Sequence, residues 1–174
     1  RLSRSVGSWF GEFVDSSVFA GEHLASGKPR RALPFTQLGR VLTDSSLSPA
    51  VNVLFVWNGN PVATCPNAVE TRRSLLREDL FTVVSEQFIT DTAKYADVVF
   101  PATTQIEHRD VVPAWGHLYL GWNEPAIAPV GESVPNTELF RRLASAMGYT
   151  EAELFEDDDS LIASALRGID TEAL

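Results

Sequence analysis

The feature that most constrains the fold is a mostly apolar run of seven residues, Val51 to Trp57, that ends at the sequence Asn-Gly-Asn-Pro. The run is rich in β-branched and aromatic residues and does not alternate with polar ones, a pattern typical of a strand covered on both faces of a parallel sheet. Asn58 and Gly59 tolerate positive φ, and Pro61 lacks the N–H that a sheet ladder needs. The chain is therefore predicted to turn at the carboxyl end of this strand, the edge at which open α/β sheets bind ligands.

Two further apolar stretches are predicted to continue the same sheet. An amphipathic helix begins after Asn67, which forms a capping-box pattern with Glu70, and leads to a second buried strand over residues 81–85. A third short strand, residues 97–101, ends at a proline. The strand-helix-strand unit should be right-handed. We therefore predict an α/β fold, a Rossmann-like open, mostly parallel sheet flanked by helices in three layers, α/β/α. The apolar face of the helix is predicted to hold Val69, Leu75, Leu76 and Leu80.

The composition indicates one folded core with additional segments. The chain has 174 residues, of which 44% are hydrophobic and 21% charged, enough for one domain. We predict an N-terminal segment with helical periodicity at residues 1–33, a Rossmann-like cofactor-binding domain at residues 34–148 and an acidic, helical C-terminal segment at residues 149–174. Near the end of the domain, Asn136 is predicted to cap a helix that Gly148 stops.

Charge and cysteine content exclude several classes of protein. The net charge of -9 argues against a nucleic-acid binder, which needs a basic face to neutralise phosphates. The single cysteine, Cys65, rules out a disulfide framework and a multi-cysteine iron-sulfur or zinc site within these residues. No apolar run reaches about 18 residues, and no signal-like leader opens the sequence. A cytoplasmic location without membrane contact is the expectation, although the sequence begins at Arg1 rather than Met.

Each predicted strand is followed by a polar loop. The loops are residues 58–61, 85–92 and 103–110. Because the carboxyl ends of adjacent parallel strands share one edge, we expect these loops to converge on one crevice. Their amides, hydroxyls and carboxylates suit the base and ribose of a nucleotide. Two of the loops also have a purely structural interpretation. The loop after the first strand could be only a tight turn, and the residues after the second strand could be only helix caps.

Two common nucleotide motifs are missing at these positions. No Gly-x-Gly-x-x-Gly follows Trp57, so an ordinary NAD site is poorly supported. The Gly-x-x-x-x-Gly-Lys sequence that cradles phosphates in P-loop proteins is missing as well.

The three loops together resemble the guanine-dinucleotide-binding domain of the molybdopterin oxidoreductases, the family that includes formate dehydrogenases, nitrate reductases and dimethyl sulfoxide reductase. The resemblance is carried by NGNP after the first strand and by VVSEQFITDTAKYADVVFPATTQIEHRD further along. It extends from about Pro29 to Gly148. Glu86 stands where the family more often has Asp, and Asp91 stands where it usually has Glu.

The resemblance implies that this chain helps to hold molybdopterin guanine dinucleotide. Asn60 would present its amide to the nucleotide half of the cofactor. Ser85 and Glu86 would hold the guanosine ribose and base edges, and Thr90 and Thr92 would line the same pocket.

His108 would lie near the pyrophosphate or the guanine. The molybdenum or tungsten would be held by the pterin dithiolenes, with any protein ligand coming from another domain, so no catalytic or metal-ligating residue is assigned here. An iron-sulfur cluster would belong to a domain outside this chain, which alone would be inactive and would not retain the cofactor. The implied partners are the remaining domains of the parent oxidoreductase and an electron-transfer partner. The alternative is a non-catalytic Rossmann-like module that binds another nucleotide or a partner protein.

Overall fold

The computed structural model describes residues 33–113 and 120–166 of the chain. The helical segment predicted at residues 1–33 lies, apart from Leu33, outside the described residues. The chain divides into two compact units. One consists of residues 30–104 and 130–134, and the other of residues 1–29, 105–129 and 135–174. The domain boundaries predicted after residues 33 and 148 stay predictions.

The unit of residues 30–104 is built on a three-stranded parallel sheet. Its strands are β1 (Val53–Trp57), β2 (Phe81–Glu86) and β3 (Val98–Pro101), in the spatial order β1-β2-β3. Trp57 lies beside Ser85, and Ser85 beside Phe100. The three carboxyl ends are therefore neighbours at one edge, and the predicted α/β class with a parallel sheet and flanking helices is confirmed.

Three short helices accompany this sheet. They are α1 (Leu38–Thr43), preceded by a 3-10 turn at Phe35–Gln37, α2 (Pro61–Thr64) and α3 (Ala68–Leu75). The last of these lies between β1 and β2 in the chain, as the crossover of the predicted βαβ unit. A further 3-10 turn, Ala93–Tyr95, leads into β3.

Two hydrophobic clusters form the core of this unit. The first is made by Leu42, Val62, Leu75 and Leu80, and the second by Val56, Val84 and Ala93. Leu54 packs against both clusters. Because side chains alternate along a strand, Leu54 and Val56 share a face, and Val84, the register partner of Val56, lies on it too. The core that joins the sheet to the helices lies on this face.

β1 is not covered on both faces, and the prediction that it would be was wrong. Val53 is 63% exposed and Trp57 52% exposed, whereas Val56 is buried. The face of β1 that meets the described core carries Leu54 and Val56, whereas Val53 and Trp57 lie on the opposite face. The strand buried on both faces is β2, in which residues 82–85 are all buried.

Helices α1 and α3 approach each other very closely. A Cβ atom on Gly39 would lie 2.8 Å from the carbonyl carbon of Glu70 and 2.8 Å from the amide nitrogen of Thr71. Small residues also occupy the buried side of α3, where Thr71 and Ser74 are fully enclosed. The Ser74 hydroxyl donates to the Thr71 carbonyl at 2.8 Å, so its burial leaves no polar atom unsatisfied. The absence of a side chain at Gly39 permits this contact.

The apolar face predicted for α3 is only partly right. Leu75 and Leu80 are buried in the core, but Val69 is 65% exposed and Leu76 69% exposed. The buried residues of α3 are Thr71, Ser74 and Leu75, so its buried side combines two small polar residues with one leucine. A helical pattern of leucines cannot reveal a contact whose closeness depends on a glycine in another helix.

The second unit contains a hairpin and two helices among the residues that the structure describes. Strands β4 (Asp110–Pro113) and β5 (Leu120–Asn123) pair in antiparallel fashion. They are followed by α4 (Asn136–Ala146) and α5 (Asp158–Ala165), with 3-10 turns at Gln105–Glu107 and Ala152–Phe155. None of the helices in the described residues is long and apolar enough to cross a membrane.

The predicted helix caps were right at two positions and wrong at one. Asn67 caps α3, with its Oδ1 accepting from Glu70 N at 3.4 Å. Gly148 has a φ of +77° just after α4 and ends that helix as expected. Asn136, however, is the first helical residue of α4 rather than its cap. Pro135 occupies the cap position with extended geometry and makes no side-chain hydrogen bond.

Candidate functional site

The loop after β1 and the loop after β2 are tied together by Asn60 and Thr92. Asn60 Oδ1 accepts a hydrogen bond from Thr92 Oγ1 at 2.7 Å and another from Thr92 N at 3.3 Å. Thr92 Oγ1 in turn accepts from Val62 N at 3.0 Å. Two of the three predicted loops, whose contacting residues are 32 positions apart in the chain, therefore meet at the carboxyl edge of the sheet.

This junction arises from the way α2 begins. Asn60 occupies the cap position of α2, but its side chain does not cap the helix. Pro61, the first helical residue, has no N–H, so the first amide that needs a partner is that of Val62. The Thr92 hydroxyl from the next loop supplies that partner. The turn that the sequence predicted is thus capped through a tertiary contact.

Burial separates the roles of the two residues. Thr92 is 0% exposed, and its hydroxyl both donates and accepts inside the protein. Asn60 is half-buried, and its Nδ2 group makes no hydrogen bond with any residue that the structure describes. Asn60 is therefore the member of the pair with hydrogen-bonding capacity left for a ligand.

Ser85 and Glu86 end the central strand, beside this junction. Ser85 is 3% exposed, and its Oγ is buried without a hydrogen-bond partner in the described part of the chain. A buried hydroxyl left unpaired is uncommon and costs free energy. Glu86 is half-buried. Its Oε1 accepts from Gln87 N at 2.8 Å, and its Oε2 makes no hydrogen bond to any described residue.

Thr90 and its neighbours shape the loop after β2. Thr90 Oγ1 accepts from Ala93 N at 3.2 Å and so caps the following 3-10 turn. The Asp91 carboxylate is bonded to Lys94 Nζ at 2.8 Å, and this hydrogen bond, aided by the charge of the ammonium group, lowers the pKa of Asp91. The loop is thus held in one conformation by its own residues.

Sequence reasoning missed Gln87, which ties the third loop to the end of β2. Its Nε2 donates to the Thr103 carbonyl at 3.0 Å. Gln87 directly follows the strand, so its position was available from the sequence, but an exposed glutamine gives no signal of its own. The capping role of Thr92 had one signal, the Asn60-Pro61 pair, which leaves the next amide to be satisfied from elsewhere.

His108 lies in the other unit of the chain. Its Nε2 is 3.9 Å from Asp110 Oδ2, and its carbonyl accepts from Asn123 Nδ2 at 2.7 Å. The structure joins Asn60 directly to Thr92, places Ser85 and Glu86 at the neighbouring strand end, and places Thr90 in the same loop as Thr92. The predicted approach of His108 to a nucleotide stays a prediction.

The described residues contain no cluster of three or more His, Cys, Asp or Glu side chains that could hold a metal ion. Cys65 is 6% exposed, and its thiol donates to the Phe35 carbonyl at 3.3 Å. Burial raises the pKa of the Cys65 thiol. Cys65 is therefore a packed side chain, and its raised pKa disfavours the thiolate, which is the form that ligates metals.

Comparison with known proteins identifies the class. Residues 18–146 match the family model described as molybdopterin oxidoreductase. The chain is 46% identical over 143 residues to the probable oxidoreductase YoaE of Bacillus subtilis (strain 168), a match covering 82% of this chain and 21% of that protein. It is 30% identical over 132 residues to the assimilatory nitrate reductase catalytic subunit of the same organism, covering 72% and 18%. Among solved structures, acetylene hydratase from Pelobacter acetylenicus superposes with a TM-score of 0.64 and 25% identity, covering 76% of this chain and 18% of that one.

The α/β sheet with polar loops at its carboxyl edge thus belongs to a cofactor-dependent class of enzymes. The chain is a member of the molybdopterin oxidoreductase family, which confirms the resemblance found in its three loops. It spans about a fifth of the length of the relatives it matches.

Proposed function

We propose that this chain is a cofactor-binding segment of a molybdopterin-dependent oxidoreductase and contributes contacts to the guanosine end of molybdopterin guanine dinucleotide. Family membership supports the molybdopterin part of this proposal. The observation that most directly supports the nucleotide part is the Asn60–Thr92 junction, which fixes an amide with unused donors at the carboxyl edge of the sheet.

The residues at this edge fit the nucleotide chemically. Asn60 offers N–H donors, and Glu86 offers a carboxylate oxygen that can accept from ribose hydroxyls or guanine N–H groups. The Ser85 hydroxyl, buried without a partner in the described residues, lies on the same strand end. Proteins with α/β folds bind nucleotides at the carboxyl ends of parallel strands, and this is where these unused donors and acceptors lie.

In this proposal the chain binds and orients the nucleotide end, while the cofactor supplies the redox chemistry when it is bound. The metal ligand, an iron-sulfur cluster and the other half of the cofactor clamp are assigned to the remaining domains of the parent enzyme. An electron-transfer partner is part of the same proposal. So is a cytoplasmic location, which the low cysteine content supports.

The test is the nucleotide content of the purified full-length enzyme that contains this chain. Acid hydrolysis releases the nucleotide of the cofactor, and chromatography identifies its base. We expect guanine in the wild type and a clear loss of it in Asn60→Ala and in Glu86→Ala. Matched controls are Asn52→Ala and Glu78→Ala, since both side chains are exposed and neither hydrogen-bonds to a described residue. The controls should keep the wild-type content.

Two results would contradict the proposal. One is a wild-type enzyme that carries a cytosine or adenine nucleotide, or none. The other is full retention of guanine in both site variants. A non-catalytic module, the alternative class, would show no preference among the bases when nucleotides are offered to it.

A further inference from the structure

We propose that Thr92 is a positioning residue: it orients the amide of Asn60 so that the NH2 group, and not the carbonyl oxygen, faces the nucleotide. This inference rests on the proposed function of the site. It adds a chemical restriction, namely that the ligand atom at Asn60 is a hydrogen-bond acceptor, such as a phosphate, ribose or guanine oxygen.

The direction of each hydrogen bond at the junction can be assigned without ambiguity. The backbone N–H of Val62 can only donate, so Thr92 Oγ1 is the acceptor of the 3.0 Å contact. The backbone N–H of Thr92 can also only donate, and it points to Asn60 at 3.3 Å. The side-chain atom of Asn60 nearest to Thr92 must therefore be Oδ1, with the hydroxyl proton of Thr92 directed to it at 2.7 Å.

Rotation of the amide by half a turn is strongly disfavoured. It would place the Nδ2 donors of Asn60 against two donors of Thr92, its N–H and its O–H. If the Thr92 hydroxyl used its second lone pair to accept from the flipped amide, its own proton would lose its acceptor, and the Thr92 N–H would still face a donor. Thr92, Pro61 and Val62 are all among the fully buried side chains. Water therefore has little access to replace the lost bonds, and the flipped amide would leave buried groups unpaired.

The same arrangement limits what Asn60 can offer to a ligand. Its carbonyl oxygen already accepts two hydrogen bonds from Thr92, which fill the capacity of that atom. The two N–H groups of Nδ2 remain, and no described residue accepts a hydrogen bond from them. Asn60 therefore presents donors only, and Thr92, fully buried, acts through Asn60 rather than on the ligand.

The main experiment compares Thr92→Val with Thr92→Ser in the full-length enzyme. Valine keeps the shape of threonine and removes the hydroxyl, whereas serine keeps the hydroxyl. We expect Thr92→Val to lower the amount of retained guanine nucleotide by a factor on the order of ten. Thr92→Ser should keep the wild-type amount. Equal content in the wild type and Thr92→Val overturns the inference. So does an equal loss in both variants, because the hydroxyl would then not be responsible.

A second variant separates orientation from folding, since Thr92→Val also removes the partner of Val62. Asn60→Asp keeps the shape and keeps an oxygen facing Thr92, but it replaces the outward donor with a charged acceptor. We expect the Tm of Asn60→Asp to stay at the wild-type value while the guanine nucleotide is lost. Retention of the nucleotide in Asn60→Asp overturns the inference. The wild-type enzyme separates failure of this inference from failure of the proposed function. If the wild type carries guanine nucleotide and the variants also carry it, only the positioning role of Thr92 fails.

Discussion

Replacing Gly39 with Ala would test how closely α1 and α3 are packed against each other. The added Cβ would lie 2.8 Å from Glu70 C and 2.8 Å from Thr71 N. Contacts between carbon atoms are most favourable at about 3.5–4.0 Å, so the two helices would have to separate by roughly 0.7 Å. Backbone atoms cannot rotate away as a flexible side chain can. The whole of α1 must therefore shift.

The net free-energy change follows from two opposing effects. Overpacking of a core contact costs about 1–3 kcal/mol. Alanine in place of glycine within a helix returns about 0.5–1 kcal/mol, because the unfolded chain loses less entropy on folding. The difference between these ranges is about 0–2.5 kcal/mol, and because the added Cβ would meet backbone atoms we expect Gly39→Ala to destabilise the protein by about 1–2 kcal/mol. For a chain of this size, that corresponds to a Tm lowered by roughly 2–8 °C.

The assay is thermal unfolding of the 174-residue chain, followed by circular dichroism. Gly59→Ala is the matched control, because among the described atoms a Cβ there would meet Trp57 O alone, at an ordinary 3.8 Å. Its Tm should stay within about 2 °C of the wild type. If Gly39→Ala unfolded at the same temperature as this control, or higher, the close contact between the helices would be refuted.

Three further predictions concern stability and reactivity. Asn67 has a φ of +57° and caps α3. In urea unfolding, Asn67→Ala should lower the free energy of unfolding by about 1–2 kcal/mol. Asn67→Gly should lower it distinctly less, because Gly adopts this φ without strain. The hydrogen bond from Ser160 N lowers the pKa of Asp157 below its ordinary 3.8. The charged carboxylate therefore stabilises the fold above that pH, and the Tm difference between the wild type and Asp157→Ala should shrink as the pH falls below it; a constant difference would contradict this. The Cys65 thiol, buried and with a raised pKa, should react with a disulfide reagent at pH 8 far more slowly in the folded chain than in urea, whereas equal rates would show that it is exposed.

Much of the fold followed from local sequence. Mostly apolar runs marked the strands, and the amphipathic stretch after Asn67 marked the crossover helix. The turn at the end of β1 was also evident, because Asn58 takes the positive φ, +52°, that its residue type allows. The loops carried enough of the family pattern to identify the molybdopterin oxidoreductases. These features depend on residues close together in the chain, which is where a sequence pattern carries information.

The tertiary structure decided which of these residues meet. Among the described strands it placed β2 between β1 and β3, although the runs of β1 and β2 are similarly apolar. It brought Gly39 against α3, so that small residues form a face that leucines were predicted to occupy. It also paired Asn60 with Thr92, turning one residue into a fixed donor and burying the other. Such pairings depend on shape and hydrogen-bond direction between distant segments, and no local pattern encodes these before the chain is folded.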